Sequence, residues 1–299
     1  MNPARHNSAW RAELALLAVV AIWGATFVLV KAALADASTL LFLALRFGLG
    51  TLVLGLVFLS RLRGVAAPKR SLAAGVLAGL CLFGGYFFQT SGLRYTSPSR
   101  SAFITALSVV MVPLLVSLVH KSAPHASEWA GVALATAGLG VMTLERGNLA
   151  LNRGDLLTLV CAAAFALHIL ALGHYAGKVS VELLSLGQVA TTALIAAGTF
   201  WWAETPRVCW SPGLAAALAV TGVLATALAF TVQTWAQRHS TPTRAALIIA
   251  TEPVFAWVAS LAVSAERFSA RGLAGGLLIL SGVILAELKP SLAGKHPLR

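Results

Sequence analysis

Charge is what this sequence has least of. Only 11% of its 299 residues are charged, and just 10 are acidic, against about 25% charged in an average soluble domain. So few charges cannot cover a water-facing surface of this size, which excludes a soluble enzyme and a disordered chain. Cysteine is also scarce. Cys81 and Cys161 lie inside apolar runs, and Cys209 sits in a short loop with no evident partner. No CxxC, HExxH or paired Cys/His spacing occurs, so neither a disulfide scaffold nor a metal or cofactor site is expected. The net charge of +12 would suggest nucleic acid in a soluble protein. Here the 22 Lys and Arg fall mostly in short gaps between apolar runs, the pattern of topological signals, and no nucleic-acid partner is expected.

What the chain has in abundance is hydrophobic residues, 58% of the total. A membrane helix takes about 20 apolar residues. Ten such stretches can be read: 13–33, 39–60, 72–93, 99–119, 127–144, 155–175, 182–203, 212–237, 243–264 and 270–288. Backbone in lipid must satisfy its own hydrogen bonds, so the fold class is an all-α polytopic bundle in the lipid bilayer. Arg5, Arg11, the first apolar run and Ala33-Leu34-Ala35 imitate a signal peptide, but the run is too long and Lys31 falls where a cleavage region is neutral. A retained first span is expected. With the N-terminus inside, thirteen Lys/Arg lie in the cytoplasm and eight outside, with Arg46 within the second span. Both termini are therefore expected to be cytoplasmic.

A shift of 144 positions exposes a duplication. YFFQTSGLRYTSPSRSAFI (86–104) and FTVQTWAQRHSTPTRAALI (230–248) match at seven of nineteen positions, Gln89/Gln233, Arg94/Arg238, Pro98/Pro242 and Arg100/Arg244 among them. The same shift aligns Gly131 with Gly275 and Gly138 with Gly282. Two units of five spans follow, 1–147 and 148–299. An odd number of crossings turns the second unit upside down, the inverted-repeat plan of secondary transporters, with the substrate site near the midplane and alternating access as its consequence. A duplicated scaffold or channel is the bland alternative.

Trp23-Gly24-Ala25-Thr26-Phe27 with Lys31, Leu45-Arg46-Phe47, Gly92-Leu93-Arg94-Tyr95-Thr96-Ser97, Met111-Val112-Pro113-Leu114 and Glu252-Pro253-Val254 together resemble the drug/metabolite transporter (DMT) superfamily. More narrowly, the chain is similar to EamA-type exporters, and within these to the YddG-type aromatic amino-acid exporters. The resemblance spans 13 to 288. It implies an inner-membrane location and a central cavity lined chiefly by spans 1, 3, 4, 6, 8 and 9.

Candidate site residues follow from spacing. Trp23, Thr26, Phe27 and Val30 share one helical face. Counted from the acids that open their spans, Glu13 and Asp155, Trp23 pairs with Phe165 and Thr26 with His168. Tyr86 lies one turn before Gln89, and Phe230 one turn before Gln233, so each span shows an aromatic and an amide together. An amide in hydrocarbon must face protein, water or ligand. Trp257 is placed near mid-membrane as a further aromatic. Helix packing and interhelical hydrogen bonding would account for the same residues. Arg46, His168 and Glu252 are ionisable residues at depth, functional candidates by default. Arg46 has a snorkelling or structural role as its alternative, and His168 a hydrogen-bonded core role. Glu252 stands before Pro253 at an expected kink, as a coupling or a structural charge. No Arg or Lys is expected to line the cavity.

The expected function is inner-membrane export of small molecules by alternating access, with amino acids as substrates. Aromatic or large apolar ones suit the rings, the amides suit a zwitterion, and small neutral ones are allowed. A monomer suffices. Two rivals stay open: an exporter of lipophilic cations or cationic drugs, with Glu252 neutralising the charge, and a membrane enzyme using His168 and Glu252. The second lacks a nucleophile or metal constellation.

Overall fold

The computed structural model describes residues 3–62, 64–65, 67–120, 126–143, 152–262 and 269–288. Arg63, Lys121, Arg146, Arg267, Lys289, Lys295 and Arg299 of the charge count lie outside them. The described residues are nearly all helical. The first half contains α1 (Pro3–Asp36), α2 (Thr39–Leu62), α3 (Pro68–Leu93), α4 (Pro98–Ala106), α5 (Ser108–His120) and α6 (Ala126–Thr143). The second contains α7 (Arg153–Tyr175), α8 (Val181–Ala203), α9 (Pro212–Ala219), a π-helical segment (Val220–Leu228), α10 (Ala229–Gln237), α11 (Pro242–Ile249), α12 (Glu252–Ala262) and α13 (Ala270–Leu288).

Eight helical stretches among the described residues are long and apolar enough to cross a membrane, where ten spans were expected. The expected spans 127–144 and 270–288 are the helices α6 and α13, which are not among the eight; each borders residues outside those described. Three expected spans are interrupted. The stretch 99–119 breaks at Leu107, and 243–264 at Ala250–Thr251. The stretch 212–237 changes winding over Val220–Leu228. The kink expected at Pro253 thus lies just ahead of it, and Pro253 sits in the first turn of α12, where a missing N–H costs nothing.

The duplication is visible in the local chemistry. Ser97 caps α4 by accepting from the Arg100 N–H, and Thr241 caps α11 by accepting from the Arg244 N–H, each with a proline next. The two mid-span breaks, at Leu107 and Ala250–Thr251, are equivalent under the shift of 144. Asp155 pairs with Arg100 at 2.7 Å, and Glu13 with Arg244 at 3.5 Å, so matching acids meet matching arginines.

The two halves interlock. Helix α1 packs on α10, α11 and α12, whereas α7 packs on α3, α4 and α5. Helices α2 and α8 pair with each other, as do α6 and α13. Both of these pairs run antiparallel. Ser38 and the Leu41 N–H, at the start of α2, donate to Glu204 at the end of α8, while Arg61 at the end of α2 reaches Glu182 at the start of α8. On the other pair, a Cβ at Gly138 would lie 2.6 Å from the Gly275 carbonyl oxygen, and one at Gly282 would lie 2.6 Å from that of Gly131. Backbones touch there, which only glycine permits.

Candidate functional site

Four aromatic rings converge where the halves meet. Trp23 of α1 packs on Phe230 of α10 with centroids 5.3 Å apart, and Phe165 of α7 meets Tyr86 of α3 edge-on, also at 5.3 Å. Tyr86 and Phe230 face each other at 6.0 Å. The pairing is two-fold: each half contributes one ring from its first span and one from its third. Around them lies a partly open cleft lined among others by Gln89, His168, Gln233 and Glu252. A second, smaller lobe shares Trp23, Tyr86, Gln89 and Glu252 with it and adds Thr26, Phe27 and Arg46.

Trp23 is fixed by its indole N–H, which donates to the Ala225 carbonyl at 2.9 Å. That carbonyl belongs to the π-helical segment, a rare winding frequently found at functional sites. Its neighbour Thr226 accepts from Arg46 Nε at 3.0 Å. A second guanidinium N–H, on Nη2, donates to the Tyr86 hydroxyl at 3.2 Å, and the guanidinium lies 4.5 Å from the Tyr86 ring centre and 5.4 Å from that of Phe47. Arg46 is 2% exposed. It does not snorkel, and it lines the smaller lobe, contrary to the expectation that no cationic side chain would face the cavity. The surrounding rings offer it cation–π attraction in place of water.

The amides hold different stations. Gln89 donates to Thr105 at 3.2 Å. Its counterpart Gln233 is buried, and its Oε1 has no hydrogen-bond partner among the described residues. His168 Nε2 lies 2.6 Å from Gln188 Oε1, so the ring donates there; Gln188 Nε2 donates to Thr234, which donates to the Phe230 carbonyl. His168 therefore combines both expected roles, a hydrogen-bonded core residue that also lines the cleft.

Glu252 opens α12 immediately after the break and lines both lobes. Gly24 lets α1 touch this point: a Cβ there would stand 2.7 Å from the Glu252 carbonyl oxygen and 2.8 Å from the Ala256 nitrogen. Among the described residues no ion pair joins Glu252 to Arg46, and no hydrogen bond reaches its carboxylate.

Eleven of the twelve candidates thus meet in the two lobes: Trp23, Thr26, Phe27, Arg46, Tyr86, Gln89, Phe165, His168, Phe230, Gln233 and Glu252. Trp257 lines neither and packs against Gly272 of α13, where a Cβ would meet its indole at 2.7 Å. Sequence reasoning missed Thr105, Ser108, Ile169 and Ile249. Ser108 had a signal, since it stands 144 positions before Glu252 and opens α5 as Glu252 opens α12.

The EamA-like transporter family model matches the chain twice, over residues 10–144 and 152–288. An uncharacterized transporter of Archaeoglobus fulgidus is 33% identical over 278 residues, covering 93% of this chain and 86% of the relative. The uncharacterized inner membrane transporter YedA of Escherichia coli K12 is 27% identical, covering 91% and 89%. A protein of known crystal structure superposes with a TM-score of 0.77 at 21% identity, covering 93% of this chain and 96% of that one, a likeness of fold alone. The chain is a multi-pass inner-membrane transporter and belongs to the EamA-like transporter family.

Proposed function

We propose that the protein exports amino acids with aromatic or large apolar side chains, and small neutral ones as well, by alternating access. The observation that carries this reading is the four-ring cleft with amides and a histidine on its wall. Rings accept a flat side chain by offset or edge-on contact, each pair adding about 0.5–1.5 kcal/mol beyond burial. The architecture proposed is ten spans in two inverted five-span repeats, 1–147 and 148–299, both termini cytoplasmic, working as a monomer. The antiparallel runs of α2 against α8 and α6 against α13 support inversion, because each pair joins equivalent helices of the two halves.

Reconstituted protein is expected to move phenylalanine or tryptophan across the bilayer chemically unchanged. Trp23→Ala and Gln89→Ala each weaken that movement while the protein still folds. Transport of lipophilic cations with no amino acid moved would replace this reading by the cation-exporter one, which the unpartnered carboxylate of Glu252 favours.

A further inference from the structure

The chamber is two-fold in its rings but not in its charges. Glu252 has Ser108 as its counterpart, 144 positions earlier, and both line the larger lobe. Arg46 has Gln188 as its counterpart, at the 142-residue offset that relates Glu13 to Asp155. The contacts agree: a Cβ at Gly222 would approach the Arg46 carbonyl at 3.1 Å, and one at Gly79 the Gln188 carbonyl at 2.8 Å. Gln188 is consumed by His168 and Thr234, and Ser108 is neutral. One guanidinium and one carboxyl group therefore lack an equivalent in a site whose other walls repeat.

Their environment is unusual for buried charges. Among the described residues Arg46 hydrogen-bonds to neutral groups, the hydroxyls of Thr226 and Tyr86, through two of its five N–H donors, and faces two rings. The Glu252 carboxylate accepts no hydrogen bond from a described residue. Both line the same lobe, and no ion pair closes the gap between them. The two groups attract each other across the lobe without touching, and a buried charge with no direct partner is expensive, a cost offset only where well-placed hydrogen bonds reach it. A ligand with one charge answers one side and leaves the other. A ligand carrying an ammonium and a carboxylate on adjacent atoms answers both and adds no net charge.

Resting on the amino-acid reading above, we infer that Arg46 and Glu252 form a split charge pair that receives the zwitterionic end of an α-amino acid. The carboxylate goes to Arg46, and the ammonium goes to Glu252, which lines both lobes. The side chain then extends into the larger lobe toward Phe165, Phe230 and Ile249. Because each charge occurs in one half only, the substrate has one orientation in an otherwise two-fold chamber.

The test compares phenylalanine with phenethylamine, which lacks the carboxylate, and 3-phenylpropionate, which lacks the ammonium. Binding to purified protein and counterflow in proteoliposomes are measured for the wild type, Glu252→Gln, Arg46→Gln and Arg46→Lys, each checked for a monodisperse elution profile. The wild type is expected to prefer phenylalanine to either half-ligand by roughly tenfold or more, a difference of about 1.4 kcal/mol or greater. Glu252→Gln loses the preference over phenylpropionate and keeps that over phenethylamine. Arg46→Gln does the reverse. Arg46→Lys keeps the charge without the guanidinium fork, so if Arg46→Gln does not fold, an intermediate preference over phenethylamine in Arg46→Lys supports the split pair and an unaltered one opposes it. Phenethylamine bound as tightly as phenylalanine, with Glu252→Gln abolishing both, overturns the inference in favour of a cation site. Phenylalanine and neutral N-acetylphenylalanine amide bound alike overturns it while leaving the aromatic-substrate reading standing. No binding or transport of any aromatic amino acid by the wild type sinks both.

Discussion

Neutralising Asp155 is expected to destabilise the protein more than neutralising Glu13, although the two acids hold equivalent positions. The Asp155 side chain is 0% exposed and lies 2.7 Å from Arg100. It also accepts from the Thr96 hydroxyl at 3.0 Å and, as half of a capping box, from the Asn152 N–H at 2.9 Å. Breaking a fully buried pair costs roughly 3–5 kcal/mol, chiefly through the charge left behind. Arg100 is 32% exposed and regains water, and asparagine retains the shape and part of the hydrogen bonding. Asp155→Asn should therefore cost about 1.5–3 kcal/mol, the worth of hydrogen bonds to a charged group. At roughly 2 °C per kcal/mol for a long chain, the melting temperature falls by roughly 3–6 °C. Glu13 meets Arg244 at 3.5 Å, with side-chain exposures of 12% and 21%. A long, partly wet pair of that kind is worth about 0–1 kcal/mol, so Glu13→Gln shifts the melt by about 2 °C or less. The assay is loss of the monodisperse peak after heating in detergent, for each variant and for the double. The two acids meet different arginines, so the double variant should equal the sum within about 0.5 kcal/mol. Equal falls, or a larger one for Glu13→Gln, would refute the reasoning from burial and distance.

Gly138→Val and Gly282→Val should each cost about 1–3 kcal/mol by overpacking the same two-fold seam, and should cost nearly the same; a melt showing one harmless and the other severe contradicts the equivalence of their contacts. Gln188→Ala strips His168 and Thr234 of their shared partner and should cost about 1–3 kcal/mol in the same melt, so an unaltered melting temperature would show that the chain His168–Gln188–Thr234 contributes nothing. Cys209 is exposed and should react with a membrane-impermeant maleimide from the outside of oriented vesicles, while a cysteine at Lys69 reacts from the cytoplasmic side. Labelling of both from one side contradicts the inversion.

Much of this was legible in the residues because membrane sequences write their packing in few letters. Gln89 and Gln233 stand out in hydrocarbon, and their shared spacing from Tyr86 and Phe230 located the chamber's centre. The acids Glu13 and Asp155 gave the register that pairs Trp23 with Phe165, and the structure shows why: each acid meets the arginine that opens the opposite half's broken helix. Trp257 was misleading because an aromatic at mid-span fits a glycine on a neighbouring helix as readily as a cavity, and Gly272 supplies one. Of the alternatives open for Arg46, snorkelling fails, although seven residues from a helix end admit it. What retains it is not visible along its own helix, since its partners come from Tyr86 and Thr226, 40 and 180 positions away. The break at Leu107 left no mark, as it interrupts a run that remains apolar, whereas Pro253 announced the one at Ala250–Thr251 just ahead of it.

The least legible feature is the one that differentiates the halves. Gly79 and Gly222 make equivalent contacts 143 positions apart, whereas Gln89 and Gln233 are 144 apart. The second half therefore carries one extra residue between those points, in the stretch that winds as a π-helix over Val220–Leu228. An added residue within VTGVLATAL changes no hydropathy and breaks no period that a reader would notice. Its effect is local. The wider winding presents the Ala225 carbonyl and the Thr226 hydroxyl to the chamber, where they take the Trp23 and Arg46 N–H groups. Their counterparts, Phe165 and Gln188, demand nothing of the kind: phenylalanine has no N–H, and the glutamine is satisfied by His168 and Thr234. The regular helix α3 accordingly faces the two residues that need no such acceptors, and the π-helical segment faces the two that do. The added residue and the two polar substitutions make one joint departure from two-fold symmetry, and it falls where a substrate with unlike ends would have to be held in one orientation.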